Sequence, residues 1–376
     1  MRRKRFSLRS LLWSGIQISI GAVILFQVAS WRLQSTSGDS SSGDPTPDLL
    51  AYEDRTIPPT YTPRIVSTIV PGATYFATPA ATSTLSPDEQ IPDTAPPSTP
   101  TPTPFEVPDY LERSVDVHAL DGPPASTECG DRGFVFYSQF PSNVSGSSRD
   151  YHVYLPPCYG HDGRVYPVLY LIHGSGHNDD QYIHLGLAQH IDQGILEGRY
   201  PPFIVIMPDS GSWGDATSGG ERSIEGVTVQ DLIPYVDASY CSWSVREGRS
   251  IGGISRGGYW ALMIAFRQPE MFAAVSGHSS QLRLSVDPPQ YNPLATYASA
   301  NLSNLRIWMD WGERDFLRAG QEQLHQLLMN AGIPHRVKIS PGNHANYYWF
   351  EHLGEYLDWH AESWPLAREV YPPCER

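Results

Sequence analysis

From about residue 115 to the end of the chain, short apolar runs alternate with longer segments in which apolar residues recur at helical spacing. The runs "PVLYLIHG" (167–174) and "FIVIMPDS" (203–210) are nearly continuous, which is typical of strands buried on both faces. Further strands are predicted at 133–140 and 149–156, as an antiparallel pair, and at 249–255, 272–279, 305–312 and 335–340. Helices are predicted at 227–240, 256–272 and 320–332. This alternation predicts an α/β fold with a mostly parallel, doubly wound sheet and helices on both faces.

The N-terminal region has a different pattern. Five basic residues within the first ten positions precede an uncharged apolar stretch at 11–31, which is long enough to cross a bilayer. We therefore predict that residues 1–34 are a cytoplasmic basic tail and a transmembrane anchor in the cell membrane, with the rest of the chain extracellular. A cleaved signal peptide, giving a secreted protein, is the alternative. Residues 35–112 are rich in Pro, Ser and Thr and predict a disordered linker before a globular domain at 113–376.

Charge and cysteine content narrow the class of protein. The formal net charge is −14, and such an acidic chain would repel a phosphate backbone, so nucleic acid is not expected as a partner. The chain has four cysteines, at 129, 158, 241 and 374. In an exported protein this even number predicts two disulfides, with three pairings open.

The segment "SIGGISRGGYW" (250–260) carries the strongest chemical signal. It places Ser255 between Gly253 and Gly257 as G-x-S-x-G, between a predicted strand and a predicted helix. In that context the motif predicts a nucleophile elbow, in which a sharp turn strains the serine backbone and brings the two glycines close together. The serine oxygen would stand at a helix N-terminus, whose partial positive charge favours an oxyanion. An ordinary glycine turn is the alternative.

A serine nucleophile needs a base and an orienting acid, which follow in the order Ser, Asp, His in this arrangement. The strand at 305–312 and the loop after it offer Asp310, Glu313 and Asp315. We predict Asp315 as the acid, because Asp310 is expected to lie on the strand itself. His344, in the loop after the last predicted strand, is the predicted base.

The predicted oxyanion hole uses the backbone N–H of Arg256 and a second N–H from the glycine-rich turn "HGSGH" (173–177). The second donor is Gly174 or Ser175, with the choice left open. His173 is expected to be a structural residue of this turn.

Residues 149–360 resemble the Putative esterase family of α/β-hydrolases, which includes esterase D, feruloyl and acetylxylan esterases, enterochelin esterases and mycolyltransferase antigens. The stretches "YHVYLPPCYG", "RVYPVLYLIHGSG", "FIVIMPDSGSW", "DLIPYVDASY", "GGISRGGYWAL", "GERD" and "GNHANYYW" carry the resemblance. It implies an α/β-hydrolase fold, a triad of Ser255, Asp315 and His344, and acyl transfer without a metal or other cofactor. Arg256 departs from the Met that many members have after the serine, and could pair with a carboxylate or steer an acidic substrate.

In the strand order usual for this fold, the strands beginning near 167 and 249 are neighbours, and Cys158 and Cys241 both precede them. On that basis we predict the disulfides Cys158–Cys241 and Cys129–Cys374.

The predicted function is a serine esterase acting on extracellular small or polysaccharide-linked esters. The segment between the strands at 272 and 305 is too short for a large lid, which favours an open cleft. An acyltransferase using the same triad and a non-catalytic binding domain remain alternatives, and the oligomeric state stays open. A metal-dependent hydrolase is disfavoured, because the histidine-rich stretch 173–190 matches no metal-binding spacing. Aromatic residues could line a groove but are more often core: Trp213, Tyr259, Trp311, Tyr347, Tyr348 and Trp349.

Overall fold

The computed structural model describes residues 115–211, 219–283 and 288–375, together with residues 108 and 111, and the structural statements below concern these residues. The predicted anchor at 1–34, nearly all of the predicted linker at 35–112, and Trp213 lie outside them. Within these ranges no helix combines the length and the apolar character that a bilayer span requires.

Nine strands form one central sheet. They are β1 (Val117–Ala119), β2 (Phe134–Ser142), β3 (Ser147–Leu155), β4 (Val168–Ile172), β5 (Ile204–Pro208), β6 (Arg249–Ile254), β7 (Ala274–His278), β8 (Arg306–Gly312) and β9 (Arg336–Ser340). Their order is β1-β2-β3-β5-β4-β6-β7-β8-β9. Strand β3 runs antiparallel to β2 and β5, and the other neighbouring pairs are parallel. The predicted mostly parallel sheet and the predicted antiparallel pair, β2 and β3, are confirmed. The structure places this pair towards one edge of the sheet.

Helices cover both faces of the sheet, as predicted. They are α1 (Gln181–His184), α2 (Leu187–Leu196), α3 (Ile224–Gly226), α4 (Ile233–Ser239), α5 (Arg256–Arg267), α6 (Pro293–Thr296), α7 (Arg318–Asn330) and α8 (Asn346–Ala361). A π-helical segment, Val227–Leu232, joins α3 to α4. Helix α5 ends at Arg267 rather than at the predicted 272, because Pro269 disfavours helical backbone in the residue before it.

The strands of the sheet centre contribute to two separate hydrophobic clusters. In β4, Val168, Tyr170 and Ile172 pack with residues of α5 and α7, whereas Leu169 and Leu171 pack with residues of α2 and α8. Successive strand residues point to opposite faces, so a strand covered on both sides is apolar throughout. This is why β4 and β5 appear in the sequence as continuous apolar runs.

The strand order also determines where a site can form. From β4 the chain continues to β5, which is the neighbour of β4 in one direction across the sheet, and then to β6, which is its neighbour in the other direction. Such a switch point opens a crevice beyond the carboxyl ends of the strands. The loops that follow β4 and β6 to β9 all meet at this edge.

The structure pairs Cys129 with Cys158 and Cys241 with Cys374, so the predicted pairing was wrong. Strands β4 and β6 are indeed neighbours. However, Cys158 lies in a turn, and its N–H donates to the carbonyl of Glu128, the residue before Cys129. At the other site the Tyr166 N–H donates to the Cys241 carbonyl, while the Cys374 N–H donates to the Gly163 carbonyl. The C-terminal segment therefore reaches Cys241 along residues 163–166.

These pairings predict unequal contributions to stability. The Cys241–Cys374 bond closes 133 residues and the Cys129–Cys158 bond 29. Chain entropy then gives about 5 and about 4 kcal/mol, respectively. In urea unfolding, the double variant C241S/C374S should therefore lose more stability than C129S/C158S.

Peptide mapping without reductant should yield the two linked peptides, and a Cys129–Cys374 peptide would contradict the structure.

Candidate active site

Ser255 occupies a sharp turn between β6 and α5. Its φ of 56° lies in the left-handed region, which is uncommon for a residue with a side chain. The Ser255 N–H donates to the His278 carbonyl on β7 (2.8 Å), and the Ser255 carbonyl accepts from the Gln281 N–H (2.9 Å). Backbone of this kind costs on the order of 1–3 kcal/mol and persists where the surroundings fix it.

Two glycines make the turn sterically feasible. A Cβ atom at Gly253 would lie 2.2 Å from the carbonyl carbon and oxygen of Gly257. A Cβ atom at Gly257 would lie 2.0 Å from the carbonyl oxygen of Ile172, at the end of β4. Both obstacles are backbone atoms, which no side-chain rotation can remove. The close approach expected of G-x-S-x-G is therefore present, and it also packs the turn against the neighbouring strand.

The structure brings Ser255, His344 and Asp315 together. His344 Nε2 lies 2.9 Å from Ser255 Oγ, and His344 Nδ1 lies 3.1 Å from both carboxylate oxygens of Asp315. With Nδ1–H donating to the carboxylate, Nε2 of a neutral imidazole is free to accept the Ser255 hydroxyl proton. Asp315 lies in the loop after β8, and Asp310 lies on β8 itself.

Asp315 is almost completely buried and is held in its charged form. Burial by itself would raise its pKa, but hydrogen bonds from the His344 ring, the Ser279 hydroxyl and the Leu317 N–H outweigh burial and lower the pKa below its usual value. Ser279, which follows β7, also has a positive φ (51°). No sequence motif marks Ser279, since its position depends on the loop after β7.

Aromatic rings enclose the His344 imidazole on two sides. The Trp349 ring meets it edge-on at 5.0 Å, and the Trp349 Nε1–H donates to Ser279 Oγ (3.1 Å). The Phe316 ring lies 4.6 Å from the imidazole and is 73% exposed. Trp349 therefore fixes the ring from inside, and Phe316 presents an aromatic surface to solvent beside the site.

The prediction of Gly174 as an oxyanion donor is corrected by the structure. The Gly174 N–H donates to Oε1 of the buried Gln181 (2.9 Å), so it is not directed at the space above Ser255. A Cβ atom at Gly174 would nevertheless lie 3.3 Å from Ser255 Cβ, so the turn packs on the nucleophile. Of the residues predicted, the N–H groups of Arg256 and Ser175 remain as candidates. Arg256 is the first residue of α5 and directly follows Ser255, so its N–H is at the positive end of the helix.

The side chains of Arg256 and His173, and most of the aromatic groove candidates, pack within the domain. The Arg256 guanidinium lies over the rings of Tyr259 and Trp260. His173 is buried and contacts the Gly174 carbonyl and the Ser210 hydroxyl, as expected for a structural residue of the turn. Four of the groove candidates are buried, namely Tyr259, Trp311, Tyr348 and Trp349, whereas Tyr347 is half exposed. Among the described residues no cluster of three or more His, Cys, Asp or Glu could hold a metal ion.

This fold and the hydrogen-bonded Ser–His–Asp arrangement at its switch point define the α/β-hydrolase class. Within that class, the family model described as "Putative esterase" matches residues 142–360, more than half of the chain. The chain therefore belongs to this family of esterases, as the resemblance predicted.

Known relatives agree with this assignment. An esterase of Mycobacterium tuberculosis is 28% identical over 260 residues, covering 56% of this chain and 56% of the relative, so the chain spans about half the length of that relative. An endo-1,4-beta-xylanase/feruloyl esterase of Xylanibacter ruminicola is 36% identical over 145 residues, covering 35% of this chain and 20% of that protein. A solved ferulic acid esterase shares the fold with a TM-score of 0.55 and 23% identity, covering 62% of this chain and all of its own.

The steric role of Gly257 is testable. Gly257→Ala places a methyl group 2.0 Å from a strand carbonyl, and the overpacking should lower the free energy of unfolding by about 3 kcal/mol or more. Gly130→Ala is the matched control, since no atom lies within 4 Å of its Cβ position. Urea titrations of both variants give the comparison. Equal stabilities would contradict the described turn.

Proposed function

We propose that the protein is a serine esterase that hydrolyses carboxylic esters through an acyl-enzyme. The observation that carries the proposal is the hydrogen-bonded series in which His344 contacts Ser255 Oγ at 2.9 Å and Asp315 at 3.1 Å. A serine hydroxyl at this distance from a held imidazole has a base for its proton. The membership of the esterase family supports the same chemistry.

In the proposed mechanism, Ser255 Oγ attacks the ester carbonyl carbon while its proton passes to His344 Nε2. Asp315 holds the imidazole by Nδ1–H and stabilises the imidazolium. The oxyanion accepts hydrogen bonds from the Arg256 N–H and the Ser175 N–H. The imidazolium then protonates the leaving alkoxide, which departs as the alcohol. In the second half, His344 takes a proton from water, the resulting hydroxide attacks the acyl-enzyme, and Ser255 recovers its proton.

The proposed substrates are extracellular small esters or esters linked to polysaccharide. The exposed Phe316 ring beside His344 could contact an apolar group of such a substrate. The relative named endo-1,4-beta-xylanase/feruloyl esterase is consistent with polysaccharide-linked esters. Hydrolysis releases the acyl group to water, whereas transfer to a sugar hydroxyl would make the protein an acyltransferase with the same triad.

Substitution of the nucleophile tests the function. Ser255→Ala should lower kcat for p-nitrophenyl acetate by at least about a thousandfold, because the acyl-enzyme cannot form. It should also abolish labelling by a fluorophosphonate probe. The exposed Ser303→Ala is the matched control and should leave both unchanged.

A wild-type protein that neither hydrolyses simple, feruloyl or acetylated-xylan esters nor reacts with the probe would favour a non-catalytic binding domain. Activity with product appearing mainly on an added polyol would favour the acyltransferase.

We also propose that the domain is extracellular and anchored by residues 1–34, with 35–112 as its spacer. The basic start, the uncharged stretch at 11–31 and two disulfides, which persist in oxidising compartments, support this location. The intact chain should therefore fractionate with membranes, and protease added to whole cells should release the domain. A mature chain that begins near residue 30 in the culture medium would instead establish a cleaved signal peptide.

A further inference from the structure

A second His–Asp pair lies beneath the Ser255–His344–Asp315 site. His278, on β7, is hydrogen-bonded through Nδ1 to Oδ1 of Asp310, on β8. Both side chains are at most 2% exposed. His278 Nε2 is buried with no hydrogen-bond partner among the described residues, and its ring stacks on Tyr356. The pair has no route to substrate, so its role must be exerted through the groups that it contacts.

Asp310 connects the sheet to helix α8, which follows the His344 loop. Its Oδ2 accepts hydrogen bonds from the hydroxyls of Tyr348 and Tyr356, each at 2.9 Å. Burial, together with the negative charge of Asp310, raises the pKa of both tyrosines far above its usual value. Both hydroxyls therefore remain donors. With His278, they give the buried carboxylate three partners, which a charge in the interior requires.

The backbones of the same pair hold the neighbouring loops. The His278 carbonyl accepts the Ser255 N–H, and the Asp310 carbonyl accepts the Ser279 N–H, each at 2.8 Å. Ser279 in turn contacts Asp315 and Trp349. His278, Asp310, Tyr348 and Tyr356 form a buried cluster. Through these backbone hydrogen bonds, the cluster contacts Ser255 directly, and it contacts Ser279, which in turn contacts Asp315 and the Trp349 ring beside His344.

Tyr348 is the member of the cluster nearest to His344, four residues further along the chain. Its ring packs on the loop that carries the histidine, because a Cβ atom at Gly342 would lie 2.4 Å from Tyr348 Cδ2. The Gly342 carbonyl accepts the Arg314 N–H (2.9 Å), next to Asp315. Tyr356 lies two helical turns further on and packs on His278 instead.

We propose that Tyr348, anchored by its hydrogen bond to Asp310, is a positioning residue that sets the place of the His344 imidazole relative to Ser255. The inference rests on the proposed function, since it concerns the efficiency of the same proton transfer. It adds a specific division of roles: of two tyrosines that donate to the same oxygen, Tyr348 supports catalysis and Tyr356 supports the fold.

Two matched variants test the proposal in the full-length protein. Tyr348→Phe and Tyr356→Phe each remove one hydroxyl from Asp310 Oδ2 and keep the ring, so their losses of stability should be similar. Tyr348→Phe should lower kcat for p-nitrophenyl acetate about tenfold with KM within about twofold, because the imidazole moves away from its best position. Tyr356→Phe should keep kcat within about twofold of the wild type. Equal kcat losses in the two variants would overturn the proposal.

A double variant tests the route through Asp310. In an Asp310→Asn background the anchor is already weakened, so Tyr348→Phe should lower kcat further by less than about twofold. A full additional tenfold loss would overturn the role of Asp310, and if Asp310→Asn does not fold, the tyrosine pair decides alone. Failure of the proposed function would look different, because wild type and Ser255→Ala would then have equal activity.

Discussion

The left-handed backbone of Ser255 is the constraint on which the rest of the site depends. Three contacts impose it: the Gly257 Cα against the Ile172 carbonyl, the Ser255 N–H on the His278 carbonyl, and the Gln281 N–H on the Ser255 carbonyl. The strain is on the order of 1–3 kcal/mol. Helix α5 is buried around most of its circumference, and each large apolar side chain that it buries contributes about 1.5–3 kcal/mol. Burial of the helix therefore outweighs the strain of its first turn and keeps the serine in place.

The parallel sheet explains why residues so distant in sequence meet. Strands β6, β7, β8 and β9 are consecutive neighbours, and all of them end at the same edge. The loops that follow these strands carry Ser255, Ser279, Asp315 and His344, in this order. The order Ser, Asp, His along the chain therefore follows from the order of the strands across the sheet. Each loop needs only a few residues to bring its side chain to the common crevice.

Much of this arrangement could be predicted from the sequence, because it depends on local patterns. Continuous apolar runs identified the buried strands, and the strand–turn–helix context of Ser255 gave meaning to its two glycines. The proximity of Asp315 and His344 to Ser255 followed from their positions after late strands. The disulfide pairing and the bond from the Gly174 N–H to Gln181 could not be predicted. They depend on where irregular segments such as 127–129 and 163–166 lie, and on how far one amide side chain reaches, and neither quantity has a periodic signal.

Asp310 and Asp315 are both almost completely buried, and these two like residues of one segment differ in the groups that face them. Asp315 lies where the His344 ring can reach it, so that its charge can stabilise an imidazolium at the crevice. Asp310 lies inside the sheet, where an unpaired charge would cost several kcal/mol, so its three donors cannot be exchanged for water. Apolar contacts are non-directional, whereas a hydrogen bond to a carboxylate oxygen fixes the distance and direction of its donor. A carboxylate that accepts hydrogen bonds from both Tyr348 and Tyr356 restricts the register of α8. Of these two tyrosines, only Tyr348 packs on Gly342 in the His344 loop, and in our proposal its hydrogen bond therefore places the imidazole.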